Sequence, residues 1–120
     1  MKKKTLVFGA STNPSRYSYL ALNRLVEHGY DVEAFGLKKG TVAGVEIDTV
    51  LKNHQGIDTV TLYMNPQRQV EYYNYIMSLH PKRVIFNPGT ENPEFYKLLK
   101  ESMIEFEQAC TLVLLSIDQY

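Results

Sequence analysis

The sequence lacks three features that would each indicate a different class of protein. It has one cysteine, Cys110, so no disulfide can form within the chain, which is typical of a reducing cytoplasm. Its 13 basic and 13 acidic residues give no net charge, whereas binding to nucleic-acid phosphates requires an excess of lysine and arginine. No apolar run approaches the roughly 20 residues of a membrane helix. We therefore expect a cytoplasmic protein that binds neither nucleic acid nor a membrane.

The alternation of short apolar runs with helical patterns predicts one α/β domain over residues 1–120. Strands are predicted at 5–8, 30–35, 59–63 and 83–86, and helices at 15–28, 66–79 and 93–102. Three segments are ambiguous: a short strand or irregular excursion at 41–47, a short last strand at 104–106, and a strand or buried helical turn at 110–117. The pattern predicts a Rossmann-like, doubly wound parallel sheet of about five strands.

The turn GASTNPSRYS after the first predicted strand lacks the G-x-G-x-x-G fingerprint of dinucleotide-binding domains. Gly9 permits a tight turn, and Ala10 and Ser11 are small enough for a ligand to approach closely. The helix that follows would point its positive end at an anion, with Arg16 and Ser18 in its first turn. An ordinary strand-to-helix connection with a solvated Arg16 would explain the same residues.

The residues after the second predicted strand distinguish among nucleotides. NAD-binding domains carry an acidic residue there, which accepts hydrogen bonds from the ribose hydroxyls. This chain has Gly36-Leu37-Lys38-Lys39 instead, with no carboxylate. Two lysines suit a ligand with an additional phosphate on its adenosine ribose, which NADP carries at the 2′ position and coenzyme A at the 3′ position. The alternative interpretation is a solvated polar turn.

Asn-Pro pairs follow three of the predicted strands. Asn is a favourable helix N-cap and Pro a favourable first helical residue, which accounts for Asn65-Pro66. Asn87-Pro88-Gly89 does not begin a helix at once, and we interpret it as a turn that presents backbone groups to a ligand. Open α/β sheets bind ligands at the carboxyl ends of their strands, so these segments together predict a nucleotide site.

The segments GASTNPSRYSYLALNRLVEHGYDV, NPGTEN and ACTLVLL resemble the small coenzyme A-binding-domain proteins, which are similar to the N-terminal domain of the succinyl-CoA synthetase alpha subunit. The resemblance extends over most of the chain and implies a Rossmann-like fold that binds coenzyme A at the strand ends. The residues that it places at the pyrophosphate are Gly9, Ala10, Ser11, Arg16 and Ser18, those near the 3′-phosphate are Lys38 and Lys39, and those along the rest of the groove are Met64, Asn65, Pro66, Asn87, Pro88 and Gly89. Many members carry Asn-Pro after the second strand, where this chain has Gly36-Leu37-Lys38.

No catalytic constellation is evident in the sequence. The related ligase uses a phosphorylated histidine from a further domain, whereas His28, His54 and His80 fit cap, turn or surface positions and lack metal-ligand spacing. The Tyr-x-x-x-Lys pattern of short-chain dehydrogenases is absent. We therefore expect a non-catalytic module that binds coenzyme A or an acyl-CoA. The alternatives are an NADP-binding oxidoreductase or redox sensor, and an interaction protein whose nucleotide site has decayed.

Two further features concern the thiol and the possible partners. Cys110 precedes an apolar run and is expected to be a buried structural cysteine, with a mixed disulfide to the coenzyme's thiol as the alternative. In Tyr72-Tyr73-Asn74-Tyr75, one ring is expected to pack inward and the others to face outward. Outward tyrosines suit a subunit interface as well as they suit plain exposure, so the sequence is compatible with a homo-oligomer or an unidentified protein partner.

Overall fold

The computed structural model describes residues 3–120, so the first two residues of the predicted domain lie outside the described residues. The strands are β1 (Lys4–Phe8), β2 (Asp31–Phe35), β3 (Gly40–Val42), β4 (Val45–Asp48), β5 (Thr59–Leu62), β6 (Arg83–Phe86) and β7 (Glu105–Gln108). The helices are α1 (Tyr17–Glu27), α2 (Pro66–Gln69), α3 (Tyr73–Ser78), α4 (Pro93–Glu101) and α5 (Thr111–Ser116), with a 3-10 turn at Val70–Tyr72 between α2 and α3.

The strands form one sheet in the order β3-β4-β2-β1-β5-β6-β7. Neighbouring strands pair in parallel, except that β3 and β4 are antiparallel. The predicted count of about five strands is therefore wrong, since the described residues form seven. The segment 41–47 contributes two of them, because Ala43 and Gly44 both take positive φ values and turn the chain back as a tight hairpin.

Helices cover both faces of the sheet and form two separate cores. Side chains alternate across a strand, so Leu6 and Phe8 face one core while Val7 faces the other. The core on the Phe8 side packs residues of α3 and α4 against the sheet, and the core on the Val7 side packs residues of α1 and α5. The central strand β1 is buried on both faces, as its continuous apolar run predicts.

Asparagine residues cap the starts of two helices, and a glycine follows the end of a third. Asn65 and Asn92 are N-caps, and their side chains accept hydrogen bonds from the backbone N–H groups of Arg68 and Phe95. Gly29 follows α1 with a φ of +81°, the left-handed conformation that commonly ends a helix. The predicted helix at 66–79 is interrupted by the 3-10 turn, and the ambiguous segment at 110–117 is helical.

The tyrosine-rich segment packs inward more fully than its sequence suggests. Tyr73 is buried, and Tyr72 and Tyr75 are partly buried against the same core, where both rings contact Phe8. Asn74 is the exposed residue of the group. The expectation of outward-facing tyrosine rings is therefore wrong, because both half-buried rings belong to the core on this face of the sheet.

The order of the strands places a crevice between β1 and β5. From β1 the chain proceeds through β2 toward one edge, and from β5 it proceeds through β6 toward the other. The loops after β1 and β5 therefore separate at the carboxyl end of the sheet, which is the position where open α/β sheets bind ligands. No helix among residues 3–120 is long and apolar enough to span a membrane.

Candidate functional site: a groove where the strand order reverses

A groove with a volume of about 630 Å³ lies at this crevice. Its size falls within the range of about 300–1,000 Å³ that is typical of small-molecule sites. The lining residues are Gly9, Ala10, Ser11, Thr12, Asn13, Arg16, Tyr17, Ser18, Leu37, Lys38, Tyr63, Met64, Asn65, Arg68, Pro88, Gly89 and Thr90. The groove therefore brings together segments that follow β1, β2, β5 and β6.

The turn after β1 is held against the sheet by its own backbone. Gly9 has a φ of +101°, and a Cβ there would lie 2.9 Å from the carbonyl carbon of Tyr63. The N–H groups of Gly9 and Ala10 both donate to the carbonyl oxygen of Phe35, at 2.9 and 2.8 Å. Gly9 and Ala10 thus shape the groove, while their amides are already bonded within the protein.

The segment between β1 and α1 bonds to itself and leaves the N-terminus of α1 without a side-chain cap. The Ser11 hydroxyl accepts from the Asn13 N–H at 3.0 Å, and the Asn13 side chain accepts from the Ser15 N–H at 3.0 Å. Arg16 is the N-cap residue, yet its side chain makes no capping hydrogen bond, and the first turn contains no acidic residue. Arg16 and the buried Ser18 line the groove beside this uncompensated positive end, which suits an anion.

The segment after β2 contacts the turn after β1 directly. Gly36 is buried and packs against the backbone of Ala10, so it shapes the wall without lining the groove itself. Lys38 lines the groove and is exposed, whereas Lys39 is exposed outside the lining. Of the two predicted lysines, the structure therefore places one at the groove.

A buried glutamine fixes the two loops on the opposite side. The Gln69 side chain is fully buried, and its amide N–H groups donate to the carbonyl oxygens of Met64 and Thr90, each at 2.9 Å. Asn92 in turn donates to the Gln69 side-chain oxygen at 2.9 Å. Because Met64 follows β5 and Thr90 follows β6, one side chain sets the spacing of two groove segments.

Sequence reasoning missed Gln69, although the sequence contains a signal for it. Gln69, Tyr73 and Ile76 have the spacing of one helical face, and helical periodicity places Tyr73 and Ile76 on the apolar side. A polar residue in register with buried positions needs hydrogen-bond partners inside the protein. That requirement would have indicated a side chain that bonds to nearby loops.

Asn87 is buried and is not among the residues that line the groove. It is 2% exposed, and its amide donates to the Thr61 hydroxyl at 2.7 Å and to the Leu62 carbonyl at 2.8 Å. Its side-chain oxygen accepts from the Thr111 N–H at 2.9 Å, at the start of α5. Both amide hydrogens and the amide oxygen are therefore used inside the protein, and Asn87 joins β5, β6 and α5.

Pro88 and Gly89 form the rim of the groove next to β6. Gly89 has a φ of +94°, and the Thr90 N–H donates to the Asn87 carbonyl at 3.0 Å, which is the pattern of a type II turn. The Gly89 N–H donates to the carboxylate of Glu91 at 2.9 Å. This one amide of the turn is therefore already bonded within the protein. Met64 and Asn65 line the groove after β5, whereas Pro66, the first residue of α2, is not among the lining residues.

The charge of the groove is one-sided. Arg16, Lys38 and Arg68 are among the lining residues, and none of the described lining residues is acidic. Arg68 belongs to α2, and no local pattern in the sequence distinguishes it from a solvated helical residue. Its position at the groove is evident only when the segments after β1 and β5 are brought together.

The two arginines of the groove differ from the other two in the chain. Arg24 pairs with a glutamate of α1, and Arg83 pairs with a glutamate of β7, each at 3.0 Å. Neither Arg16 nor Arg68 forms an ion pair with a carboxylate in the part of the chain that the structure describes. Both guanidinium groups in the groove are thus free to contact an anionic ligand.

The three histidines and the cysteine all lie outside the groove lining. None of the histidines is a lining residue: His28 bonds through Nδ1 to a backbone carbonyl of α1 at 2.7 Å, His54 bonds to Glu33, and His80 is exposed. Cys110 is a half-buried free thiol that also stands outside the lining. Residues 3–120 contain no group of three histidine, cysteine or acidic side chains that could hold a metal ion.

Tyr63 is the one tyrosine besides Tyr17 among the described lining residues. Burial raises the pKa of its hydroxyl well above the ordinary value of 10.0. The hydroxyl therefore stays protonated throughout the physiological range and cannot act as a base, and its oxygen is buried from solvent.

The chain is similar in sequence to one protein family and in structure to several solved proteins. The family model described as a CoA binding domain matches residues 3–116. No curated protein matches the chain. A crystal structure of an uncharacterized protein superposes with a TM-score of 0.97 at 52% identity, covering 100% of this chain and 99% of that chain. A hypothetical protein from Pyrococcus horikoshii OT3 superposes with a TM-score of 0.80 at 30% identity, covering 93% of this chain and 80% of that chain.

A protein from Thermus thermophilus shares the fold with a TM-score of 0.86 at 24% identity, covering 99% of this chain and 91% of that chain. The family match spans the strand-end turns that form the groove, and it confirms the resemblance drawn from GASTNPSRYS and NPGTEN. The chain therefore belongs to the family of CoA-binding-domain proteins.

Proposed function

We propose that this chain binds coenzyme A or an acyl-CoA in the groove and performs no chemistry on it. The observation that carries the proposal is the set of three cations, Arg16, Lys38 and Arg68, in a lining without described acidic residues. Such a lining favours a ligand with several negative charges, because clustered cations without counter-charges repel each other until an anion binds. Coenzyme A carries three phosphate groups and meets this requirement.

The two ends of the groove differ in a way that orients the ligand in this proposal. The start of α1 and the cations lie beside β1, β2 and β5, where the pyrophosphate and the 3′-phosphate would bind. At β6 the Gly89 amide is occupied by the Glu91 carboxylate, which disfavours a phosphate there. The uncharged pantetheine arm would therefore extend over Pro88 and Gly89. This arrangement follows the usual binding mode of a Rossmann-like sheet.

The non-catalytic part of the proposal rests on the side chains of the groove. The lining supplies guanidinium, ammonium, hydroxyl and amide groups, and the Tyr63 hydroxyl is held protonated by burial. General acid–base catalysis needs a group that changes protonation near neutral pH. A binding, carrier or sensing role therefore fits the described lining better than a reaction does.

The first test is isothermal titration calorimetry with coenzyme A, 3′-dephospho-coenzyme A, NADP and NAD. We expect binding of coenzyme A, weaker binding without the 3′-phosphate, and little binding of NAD. In a thermal-shift assay, coenzyme A at a hundred times its dissociation constant should stabilise the fold by about 2.7 kcal/mol, a shift of roughly 10 °C. Binding of NADP alone would contradict the proposal and favour a redox enzyme or sensor.

Matched variants assign the binding to the groove. Arg16→Gln and Lys38→Gln should each weaken coenzyme A binding. Lys38→Gln should weaken the binding of 3′-dephospho-coenzyme A less than Arg16→Gln does, because that ligand lacks the phosphate that Lys38 would contact. Arg24→Gln and Lys97→Gln remove the same charges outside the groove lining and serve as controls. Equal losses of coenzyme A affinity in the groove variants and the control variants would mean that binding depends only on the overall charge of the protein. Absence of binding by any of the four nucleotides would instead favour an interaction protein.

A further inference from the structure

Arg68 is a cation of the groove lining to which the sequence resemblance assigns no part of coenzyme A. It lines the groove from α2, on the far side of the crevice from the start of α1. It is exposed, and no carboxylate among the described residues pairs with it. Arg16, with the same two properties, lines the groove from the N-cap of α1. The two arginines without an ion pair among the described residues thus belong to one groove.

The arginines approach the groove from opposite faces of the sheet. α1 packs into the core that contains Val7, and α3, which continues from α2, packs into the core that contains Phe8. The strands that precede these two segments, β1 and β5, are direct neighbours in the sheet, with Phe8 in register with Leu62. Neighbouring strands lie about 4.8 Å apart, so the segments carrying Arg16 and Arg68 start close together and diverge to the two walls.

The backbone around Arg68 is held in place. Its N–H donates to the Asn65 side chain at 2.9 Å, and the next residue is the fully buried Gln69, which ties α2 to the loops after β5 and β6. An arginine on a fixed backbone needs to order only its side chain when a ligand binds. Guanidinium groups hold phosphate oxygens through paired N–H donors, which gives them both strength and directionality.

We propose that Arg16 and Arg68 close on one diphosphate group from the two walls of the groove, so that Arg68 makes the site select diphosphate-containing nucleotides. The inference rests on the proposed binding of coenzyme A and adds to it the residue that distinguishes a diphosphate from a monophosphate. A single phosphate beside α1 is satisfied by the helix start and Arg16. The second phosphate of a diphosphate ligand would extend across the crevice toward Arg68, which lines the groove from α2.

The test measures the affinities of coenzyme A, ADP, AMP and adenosine 3′,5′-bisphosphate by calorimetry, for the wild type and for Arg68→Gln. Arg68→Gln should weaken coenzyme A and ADP by at least about tenfold, the usual loss of a hydrogen bond to a charged group. It should change the affinities for AMP and for the 3′,5′-bisphosphate, which has no diphosphate, by less than about threefold. Arg24→Gln, which removes a paired arginine outside the groove, should leave all four affinities unchanged.

The double variant Arg16→Gln/Arg68→Gln tests whether the two residues share one group. Its loss of ADP affinity should be smaller than the product of the single losses, because residues that contact the same group are not independent. Independent losses, an unchanged affinity of Arg68→Gln for ADP, or an equal loss for AMP and the 3′,5′-bisphosphate would each overturn the inference. Failure of the folded wild type to bind coenzyme A would overturn the proposed function itself, which is a separate result.

Discussion

The carbonyl oxygen of Ala10 lies so close to Gly36 that a Cβ on this glycine would be 2.3 Å from it. Gly36 therefore allows the segment after β2 to touch the turn after β1, backbone against backbone. The contact sets the position of Lys38 relative to the start of α1. The absence of a side chain at Gly36 thus lets two groove segments pack together.

We expect Gly36→Ala to destabilise the protein and to weaken coenzyme A binding together. The added methyl group must push against backbone, which cannot rotate away, and overpacking of this kind typically costs about 1–3 kcal/mol. The displaced loops also carry groove residues, so the affinity should fall in the same variant. Chemical denaturation gives the free energy of unfolding, and calorimetry gives the affinity.

Gly44→Ala is the matched control for this prediction. Gly44 has a φ of +80°, and nothing lies within 4 Å of the position that a methyl group would take, so its substitution carries a conformational cost without a clash. It lies in the β3–β4 hairpin, outside the groove lining, and should leave the affinity unchanged. If Gly36→Ala bound coenzyme A as the wild type does, the contact with Ala10 would have no role in shaping the groove.

The sequence predicted the parts of the fold that depend on local chemistry. Apolar runs located the central strands, and Asn65-Pro66 located the start of α2, because N-capping is decided within a few residues. The turns after β1 and β2 were predicted from the small residues and lysines within them, and both contribute residues to the groove lining. The β3–β4 hairpin escaped a firm prediction, since its short strands are stabilised mainly by pairing with β2 and with each other.

The remaining features depend on contacts between distant segments. Asn87 has the same Asn-Pro sequence as the N-caps, yet its amide bonds to β5 and α5, which only the folded chain brings within reach. Arg68 reaches the groove because α2 starts at the switch in strand order. Neither outcome can be read from neighbouring residues, because both follow from which strands are adjacent in the sheet.

Gln69→Leu should lower stability and loosen the groove. Leucine has a similar size but cannot donate to the carbonyl oxygens of Met64 and Thr90, which would then be left without this partner in the interior. Losing the bonds of a buried polar group typically costs about 1–3 kcal/mol. The neighbouring Gln67→Leu makes the same change at a more accessible position and should have little effect on unfolding. Similar unfolding free energies for the two variants would show that the Gln69 bonds are dispensable.

Asn87→Asp should destabilise the protein more at neutral pH than at acid pH. The introduced carboxylate would replace a donor with an acceptor opposite the Leu62 carbonyl and would bury a charge, so its pKa in the folded state would be raised. A raised folded-state pKa means that the loss of stability grows as pH rises above the carboxyl's ordinary pKa of about 3.9. Denaturation at about pH 3 and about pH 7, below and above that ordinary pKa, measures the difference, with the exposed Asn74→Asp as control. A loss independent of pH would contradict a buried, hydrogen-bonded Asn87.

The Glu33 carboxylate gives the fold a defined sensitivity to acid. Burial raises the pKa of this carboxyl, but contacts with Lys4 and His54 outweigh burial and hold the pKa below its ordinary value of 4.5. A lowered folded-state pKa contributes stability that is fully present above pH 4.5 and is lost as pH falls through the lowered value. Acid should therefore remove this part of the stability.

We expect Glu33→Gln to be less stable than the wild type at about pH 6 and to approach the wild type as the pH falls toward about 3. Glutamine keeps the shape of the side chain but removes the charge that Lys4 and His54 contact, so the variant lacks the stability that protonation takes from the wild type. Urea denaturation across this pH range measures the difference in unfolding free energy. Glu27→Gln, at an exposed ion pair of α1, should give a small difference throughout. A Glu33→Gln deficit that stayed constant over the whole acid range would show that the amide is disfavoured by packing, and that the charge of Glu33 contributes nothing to stability.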